Sequence, residues 1–488
     1  MAIKSKKNST KKAIKSNKIA APHIQWRRKG REIFVTNDFG YHIRLDEKDF
    51  NKWLEGKLDE KSRIYNQLFE RGFIREQLNF EDLASKWKKQ NSFMFAGTGL
   101  HIFVLTLRCN EKCLYCQSGA VGGKTSGMDM TWETAKKCVD IAFQTPRNSF
   151  SIEFQGGEPL CNWDVLKKTV EYARKKEKET GKKLNLALVS NFSLMDEKKA
   201  NFLIGNEVSI CTSIDGPKSL HNKNRIGSGG DTYDIAAKWI RYFNKKHDTQ
   251  GPGPRIFKPS ALLTVSKYSL SYPKEIVDEY LKLGLETIFV RPLSPIGYAK
   301  KLWDQIGYKP QDFLAFYEKI LKYILELNRK GKNIKERTAQ MLCQKIFEFE
   351  DAGFLDLRWP CGAAIGQLAY NYDGSIYTCD EGRMVGWEGD DFFKVGDVDV
   401  PYRELITNSH SRGCAISSTL ENQPRCMRCA YRPYCGVCPV INYETQNSLW
   451  GNNISNYKCA ISMGIFDILF DILKKNENEK ILRKWIIK

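Results

Sequence analysis

Cys109, Cys113 and Cys116 stand in the order C-x3-C-x2-C. Three thiolates on one short loop can hold three irons of a [4Fe–4S] cube and leave the fourth iron open to a small molecule. A zinc knuckle is the competing reading, but zinc sites usually bring four protein ligands in pairs. A second set lies far along the chain: Cys361, Cys379, then Cys426-x2-Cys429-x5-Cys435-x2-Cys438, and finally Cys459. Its two CxxC pairs are compatible with a zinc ribbon, yet a ribbon leaves Cys361, Cys379 and Cys459 without a purpose. Cys138 and Cys211 fall in helix and strand patterns and read as buried hydrophobes.

Composition frames these thiols. The chain has 488 residues, 42% hydrophobic and 27% charged, which fits a globular protein of about three domains. No apolar run approaches the ~18–20 residues of a membrane span, and no apolar segment follows the basic N-terminus as in a signal peptide. A cytoplasmic location is therefore expected. A reducing compartment disfavours disulfides, so fifteen cysteines point to metal or redox chemistry. The net charge is +20, but eleven basic residues and no acidic one lie between Lys4 and Arg31. With Trp26 as its one aromatic and no amphipathic stripe, this arm reads as a solvated tail, not as a nucleic-acid or lipid contact.

The elements that must position the thiols come next. From about residue 98 to 300, apolar runs (LHIFVLTL, SFSIEF, LNLALVS, VSICTS, PSALLTV, TIFVRPL) alternate with helical patterns such as Trp132–Phe143, Asp164–Lys178 and Thr232–Lys245. Six buried strands with intervening helices predict an α/β fold, its parallel sheet wound open or as a partial barrel. Chemistry in such folds sits at the C-terminal strand ends, and the Cys109 loop directly follows the first run. Residues 310–350 read as helices with a core stripe of Phe313, Phe316, Ile320, Tyr323 and Ile324. Ahead of the core, REIFVTNDFGYHIRL predicts two strands around an Asn-Asp-Phe-Gly turn, with Asp46 as the N-cap of a following helix. The expected divisions are a disordered basic tail (1–22), a hairpin-and-helix unit (23–95), the α/β core (96–305), a helical linker (306–358), a cysteine-rich extension (359–465) and a C-terminal helix (466–488).

The cysteine loop, with Tyr115 before its last cysteine, resembles the signature of the radical S-adenosylmethionine (radical SAM) superfamily. Phe154-Gln155-Gly156-Gly157-Glu158-Pro159 ends the second run and is similar to that superfamily's Gly-Gly-Glu-Pro motif. The physics agrees: the glycines would let backbone approach the methionine moiety, and Glu158 could accept from its ammonium group. Asn191 at the end of the third run, and Ser213 and Arg225 around Thr212-Ser-Ile-Asp-Gly-Pro217, resemble further cofactor-contacting stretches. The competing reading makes Asp215-Gly216-Pro217 a turn and Arg225 a surface pair. Asn222 stands where the family often has Asp. The resemblance implies a partial (β/α)6 TIM-like barrel, S-adenosylmethionine and a [4Fe–4S] cluster on Cys109, Cys113 and Cys116. Reductive cleavage would use an electron from a flavodoxin or ferredoxin, and the 5′-deoxyadenosyl radical would take a hydrogen from a peptide side chain.

The C-terminal cysteines resemble the SPASM extension, which implies two auxiliary [4Fe–4S] clusters. By that likeness Cys426, Cys429, Cys435 and Cys459 would hold one. Cys361, Cys379 and Cys438 would hold the other, with Cys343, Cys414 or an open iron in the fourth place. Cys435-x2-Cys438 departs by one residue from the family's C-x3-C. Asp380 matches the aspartate proposed as proton acceptor in the related anaerobic sulfatase-maturating enzymes; alternatively Asp380 and Glu381 cap a turn. The N-terminal unit resembles a PqqD-like peptide-recognition domain. Phrases such as TSIDGP and CAYRPYCG are most similar to the His-Xaa-Ser system maturase of the B type. That likeness implies a ribosomal precursor peptide and a second radical SAM maturase as partners. The rival functions are a radical SAM maturase acting on a protein such as a sulfatase, and a non-catalytic zinc or iron–sulfur protein binding RNA.

Overall fold

The computed structural model describes residues 24–75, 78–227 and 231–487. The expected tail at 1–22 lies outside the described residues. The described chain divides into two compact units, the first including residues up to Trp87 together with 428–433.

In the first unit β1 (Ile24–Lys29), β2 (Glu32–Asn37) and β3 (His42–Asp46) form an antiparallel sheet in that order. Two strands were expected; β1 escaped because its Trp-Arg-Arg-Lys run carries no apolar alternation. Ile33, Val35, Ile43 and Leu45 turn inward onto Phe50, Trp53, Leu68 and Phe73. The turn closes through Asn37 Oδ1, which accepts from the amides of Phe39 (3.2 Å) and Tyr41 (3.1 Å). Asp46 caps α1 (Glu47–Leu54) as expected, its Oδ1 accepting from Asp49 N at 2.7 Å. Ser62 does the same for α2 (Arg63–Glu70). Residues 428–433 join this unit where Thr36 Oγ1 donates to the Ala430 carbonyl at 2.8 Å.

The second unit holds the six expected strands: β4 (Leu100–Thr106), β5 (Ser149–Gly156), β6 (Lys183–Val189), β7 (Val208–Ser213), β8 (Ser260–Thr264) and β9 (Thr287–Arg291). They pair in parallel, each beside the next in sequence. All of β4 after Leu100 is buried, as a strand covered on both faces requires. The connections carry α3 (Trp132–Ala142), α4 (Trp163–Thr180), α5 (Glu197–Gly205), α6 (Lys218–Asn224), α7 (Thr232–Asp248) and α8 (Pro273–Lys282). Thr131, Asp196 and Asp231 cap α3, α5 and α7 with side-chain oxygens, and Gly181 ends α4 in the left-handed region.

After β9, α9 (Pro310–Arg329) buries Phe313, Phe316, Ile320 and Ile324, while Tyr323 stays at the rim and donates to Asp278 Oδ1 at 2.8 Å. Two-residue β10 (Lys335–Glu336) leads into α10 (Arg337–Glu348). The cysteine-rich stretch, expected to be turns, adds β11 (Gln367–Tyr370), β12 (Ser375–Tyr377) and β13 (Lys394–Asp397) to the sheet. The order is β10-β9-β8-β7-β6-β5-β4-β11-β12-β13, with β11 parallel to β4 and the last two pairings antiparallel. The fold is α/β with a mixed sheet. Later helices include α11 (Asp380–Trp387), α12 (Ser409–Ser418), α13 (Pro439–Gln446), α14 (Tyr457–Ile472) and α15 (Asn476–Ile486). One terminal helix was expected where α14 and α15 stand. At the break Asn478 Nδ2 donates to Ile472 O, in the last residue of α14, at 3.0 Å. Among the described residues, no helix is long and apolar enough to cross a membrane.

Candidate active site

The cysteine loop leaves the C-terminal end of β4 and is laced down on both sides. Arg108–Cys109 pairs with Val121–Gly122, and Glu111–Cys113 pairs antiparallel with Arg225–Gly227. Cys109 Sγ accepts from Glu111 N at 3.4 Å and lies 3.9 Å from Asn191 Nδ2; Cys116 Sγ lies 3.2 Å from Ser118 Oγ. Burial pushes the Cys113 thiol well up; Arg225 opposes this, while Glu111, Cys116 and Cys109 add to it. Three partly exposed thiols are thus neighbours on one strand-end loop with N–H groups aimed at sulfur. That donor set fits a three-ligand [4Fe–4S] cluster.

Gly156 and Gly157 serve the chain itself. A Cβ on Gly156 would stand 2.1 Å from Thr106 O, and one on Gly157 would stand 2.3 Å from Arg108 O. Gly157 N donates to Thr106 O and Glu158 N to Arg108 O, both at 2.8 Å. The two glycines let the end of β5 approach the backbone preceding Cys109 closely. Pro159 opens the 3-10 turn Pro159–Asn162, and Gln155 binds Glu153. Glu158 is 1% exposed. Its Oε1 accepts from Leu160 N (3.0 Å) and Ser190 Oγ (2.8 Å), and its Oε2 from Asn191 N (2.7 Å). Burial pushes this carboxyl up to about 7, against those three hydrogen bonds. About one of its roughly four acceptor positions is left for another donor. Glu158 ties the ends of β5 and β6 together.

Tyr115 and Arg225 meet in a buried network that the sequence did not reveal. Tyr115 Oη donates to both oxygens of Asp215 (2.8 and 2.6 Å) and accepts from Arg225 Nε at 2.8 Å. Arg225 Nη1 reaches Glu111 Oε2 at 3.4 Å, and the guanidinium lies over the Tyr115 ring. The Arg225 side chain is 11% exposed and faces Glu111 and Asp215, and its backbone pairs with that of Cys113. Burial raises the carboxyl pKa of Asp215 and of Glu111, with Arg225 opposing both. Asp215 N donates to His221 Nδ1 at 3.3 Å, and burial drives that imidazole down to about 3. Asn222 Oδ1 accepts from Thr232 Oγ1 and Tyr233 N, so it braces α7. Ser213 ends β7 and is partly exposed. Glu111, inside the cysteine loop, and Asp215, inside the quoted turn, carried the available signal.

Cys361, Cys379 and Cys438 are buried in one core cluster that also contains Cys414. Cys343 lies on α10 among Arg483, Glu336 and Glu479. Cys426, Cys435 and Cys459 belong to the second unit and Cys429 to the first. Cys138 is buried in α3 and Cys211 partly buried in β7, while Cys161 lines a cleft of about 610 Å³ together with Cys109. Asp380, the first residue of α11, pairs through Oδ1 with Arg383 Nε at 2.8 Å; Arg383 Nη1 donates in turn to Ser118 O. Glu381 faces a cavity of about 130 Å³ lined also by Arg291, Asp356, Cys438 and Lys458. Burial raises its carboxyl pKa, and Asp356 and Asp380 add to the effect.

A model of the radical SAM superfamily matches residues 103–249. The cysteine-type anaerobic sulfatase-maturating enzyme of Clostridium perfringens is 26% identical over 374 residues, 74% of this chain and 93% of that enzyme. The solved structure of anSMEcpe with bound AdoMet is similar with a TM-score of 0.64 at 21% identity, covering 80% of this chain and 98% of its own. Streptococcus suis SuiB bound to the precursor peptide SuiA is similar with a TM-score of 0.54 at 15% identity, covering 90% and 100%. At these identities the two structures show the fold. The match over residues 103–249 spans the cysteine loop and the Gly-Gly-Glu-Pro turn stitched to it. That stretch of the chain, residues 103–249, is what matches the radical SAM superfamily, whose members use S-adenosylmethionine and a [4Fe–4S] cluster.

Proposed function

We propose that this chain matures a ribosomally made precursor peptide, of the kind that carries His-Xaa-Ser repeats, by radical SAM chemistry in a partial (β/α)6 barrel. The observation that carries the reading is the N-terminal unit, an antiparallel three-stranded sheet with its own core. Such a sheet suits leader capture by strand addition, in which backbone hydrogen bonds supply affinity and side-chain pockets supply selectivity. The likeness to a structure holding a precursor peptide supports it.

Cys109, Cys113 and Cys116 would hold the radical SAM cluster. Cys426, Cys429, Cys435 and Cys459 would hold one auxiliary cluster, and Cys361, Cys379 and Cys438 three corners of another. With S-adenosylmethionine and an electron from a flavodoxin or ferredoxin, a cluster held there would supply the reductive cleavage chemistry that makes a 5′-deoxyadenosyl radical available. This chain's residues supply placement. Tyr115, Asp215, Glu111 and Arg225 fix the cysteine loop, and Gly156–Pro159 locks it to β5. Glu158, Asn191 and Ser213 stand at the strand ends where the cofactor would lie. Asp380 holds Arg383 through Oδ1 and would take the substrate proton at Oδ2. A cytoplasmic location and a second radical SAM maturase as partner belong to the same reading.

A second reading is favoured by the coverage of the sulfatase-maturating relative: maturation of a sulfatase cysteine. One anaerobic experiment separates the two. The full chain is incubated with S-adenosylmethionine, reductant and either a synthetic peptide of His-Xaa-Ser repeats or a sulfatase-derived cysteine peptide. A mass change in the first alone supports the proposal; a change in the cysteine peptide alone replaces it with the second reading.

A further inference from the structure

We propose that Cys414 is the fourth protein ligand of the auxiliary [4Fe–4S] cluster whose other corners are Cys361, Cys379 and Cys438, so that every iron of that cluster carries a thiolate. The inference rests on the auxiliary-cluster reading above. Four separate segments deliver the thiols: the turn after Trp359-Pro360, the start of α11, the middle of α12 and the start of α13. All four are buried, at 5%, 3%, 0% and 6% exposure, and share one cluster.

Specific bonds set α12 in this place. Ser418 lies one turn beyond Cys414. Its Oγ accepts from Cys361 N at 2.8 Å and donates to the Cys414 carbonyl at 2.6 Å. Thr378 Oγ1 lies 3.9 Å from the neighbouring Cys379 Sγ.

Cys138 and Cys343 are buried too, but neither is a member of that core cluster. Among the described residues, no three His, Cys, Asp or Glu side chains are grouped to hold a single metal ion. A cube asks for something else: four thiolates on four separate corners. Each thiol gives one proton to solvent on ligation, and none is oxidised.

The test uses the full chain with Cys109, Cys113 and Cys116 replaced by Ala, reconstituted anaerobically with iron and sulfide. Two auxiliary clusters amount to about eight irons per chain. The readouts are iron content and the electron paramagnetic resonance spectrum of the reduced clusters, with and without imidazole as an exogenous ligand. A closed cluster leaves the spectrum unmoved by imidazole. Cys414→Ala is expected to open one iron, so that imidazole shifts the spectrum or iron falls toward half, while Cys343→Ala changes neither. Cys414→Ser, which keeps the volume, is expected to alter the spectrum with circular dichroism unchanged. An imidazole-sensitive spectrum with Cys414 intact overturns the proposal, and so does a Cys414→Ala spectrum and iron content identical to the parent's. The first of these needs no substitution at Cys414, so it decides even if a variant fails to fold. Iron far below eight in the parent would instead sink the auxiliary-cluster reading itself.

Discussion

Two carboxylates near the site are held in opposite ways, and each carries an expected outcome. Glu158 is buried without a cation and accepts from two backbone amides and Ser190. In Glu158→Gln the side-chain NH₂ must face one of those donors, which costs roughly 1–3 kcal/mol by denaturation. A pH signature accompanies it. The folded carboxyl titrates at about 7 against an ordinary 4.5, so between those values the folded chain keeps a proton that the unfolded chain has lost. Stability from this group therefore falls as pH rises across that interval, and thermal unfolding on either side of it should show the fall in the parent and not in the variant. Asp380, by contrast, is paired with Arg383, a guanidinium 1% exposed. Asp380→Asn should keep 5′-deoxyadenosine formation and lose product by ~10²–10⁴-fold. It should also lose stability, up to ~3–5 kcal/mol, because Arg383 is left buried with no carboxylate. Product and 5′-deoxyadenosine from one reaction, with iron as control, read the outcome; if both fall together at constant iron, Asp380 acts before hydrogen abstraction. What was legible at this scale was local. Cys109, Cys113 and Cys116 sit on one loop, and Gly156–Pro159 are consecutive. The Tyr115–Asp215–Arg225 network and the Cys414–Cys361 meeting join positions far apart in sequence, and no spacing rule encodes them.

At the scale of elements, the site depends on one seam, the end of β5 laid against the exit from β4. Gly157→Ala puts a methyl 2.3 Å from Arg108 O and 2.6 Å from Leu107 O, both backbone atoms that cannot swing away. The cysteine loop must move. 5′-Deoxyadenosine formation should fall at least tenfold, read beside far-UV circular dichroism that stays native. Strand placement was read well wherever apolar runs bury both faces: β4 to β9 fall within their predicted runs to within a residue or two. β1, with its basic run, and two-residue β10 carried no periodic signal. β11 to β13 are three or four residues each, embedded among Gly, Asp and Tyr, and their strand character comes from the neighbours they pair with.

For the whole molecule, metal content is the broadest check. Anaerobically prepared chain should carry three clusters, on the order of twelve irons. Replacing Cys109, Cys113 and Cys116 by Ala should leave roughly two thirds of that iron and abolish cleavage of S-adenosylmethionine. Retained cleavage would refute the catalytic assignment. The α/β core was legible from the alternation of strands and helices, whereas the cysteine-rich region looked like an appendage. In fact β11 lies parallel to β4, with Gln367 opposite Leu100 and Tyr370 opposite Phe103. That pairing has a consequence for synthesis. β4 leaves the ribosome early, and its partner on one side is not made until much later; at ~5–20 residues per second the gap lasts on the order of ten seconds or more. Through that interval β4 presents an apolar edge with its amides and carbonyls unmatched, the kind of surface that recruits other chains. The nascent protein therefore depends on holding that edge covered, and any product truncated before Gln367 should aggregate rather than accumulate as a working half.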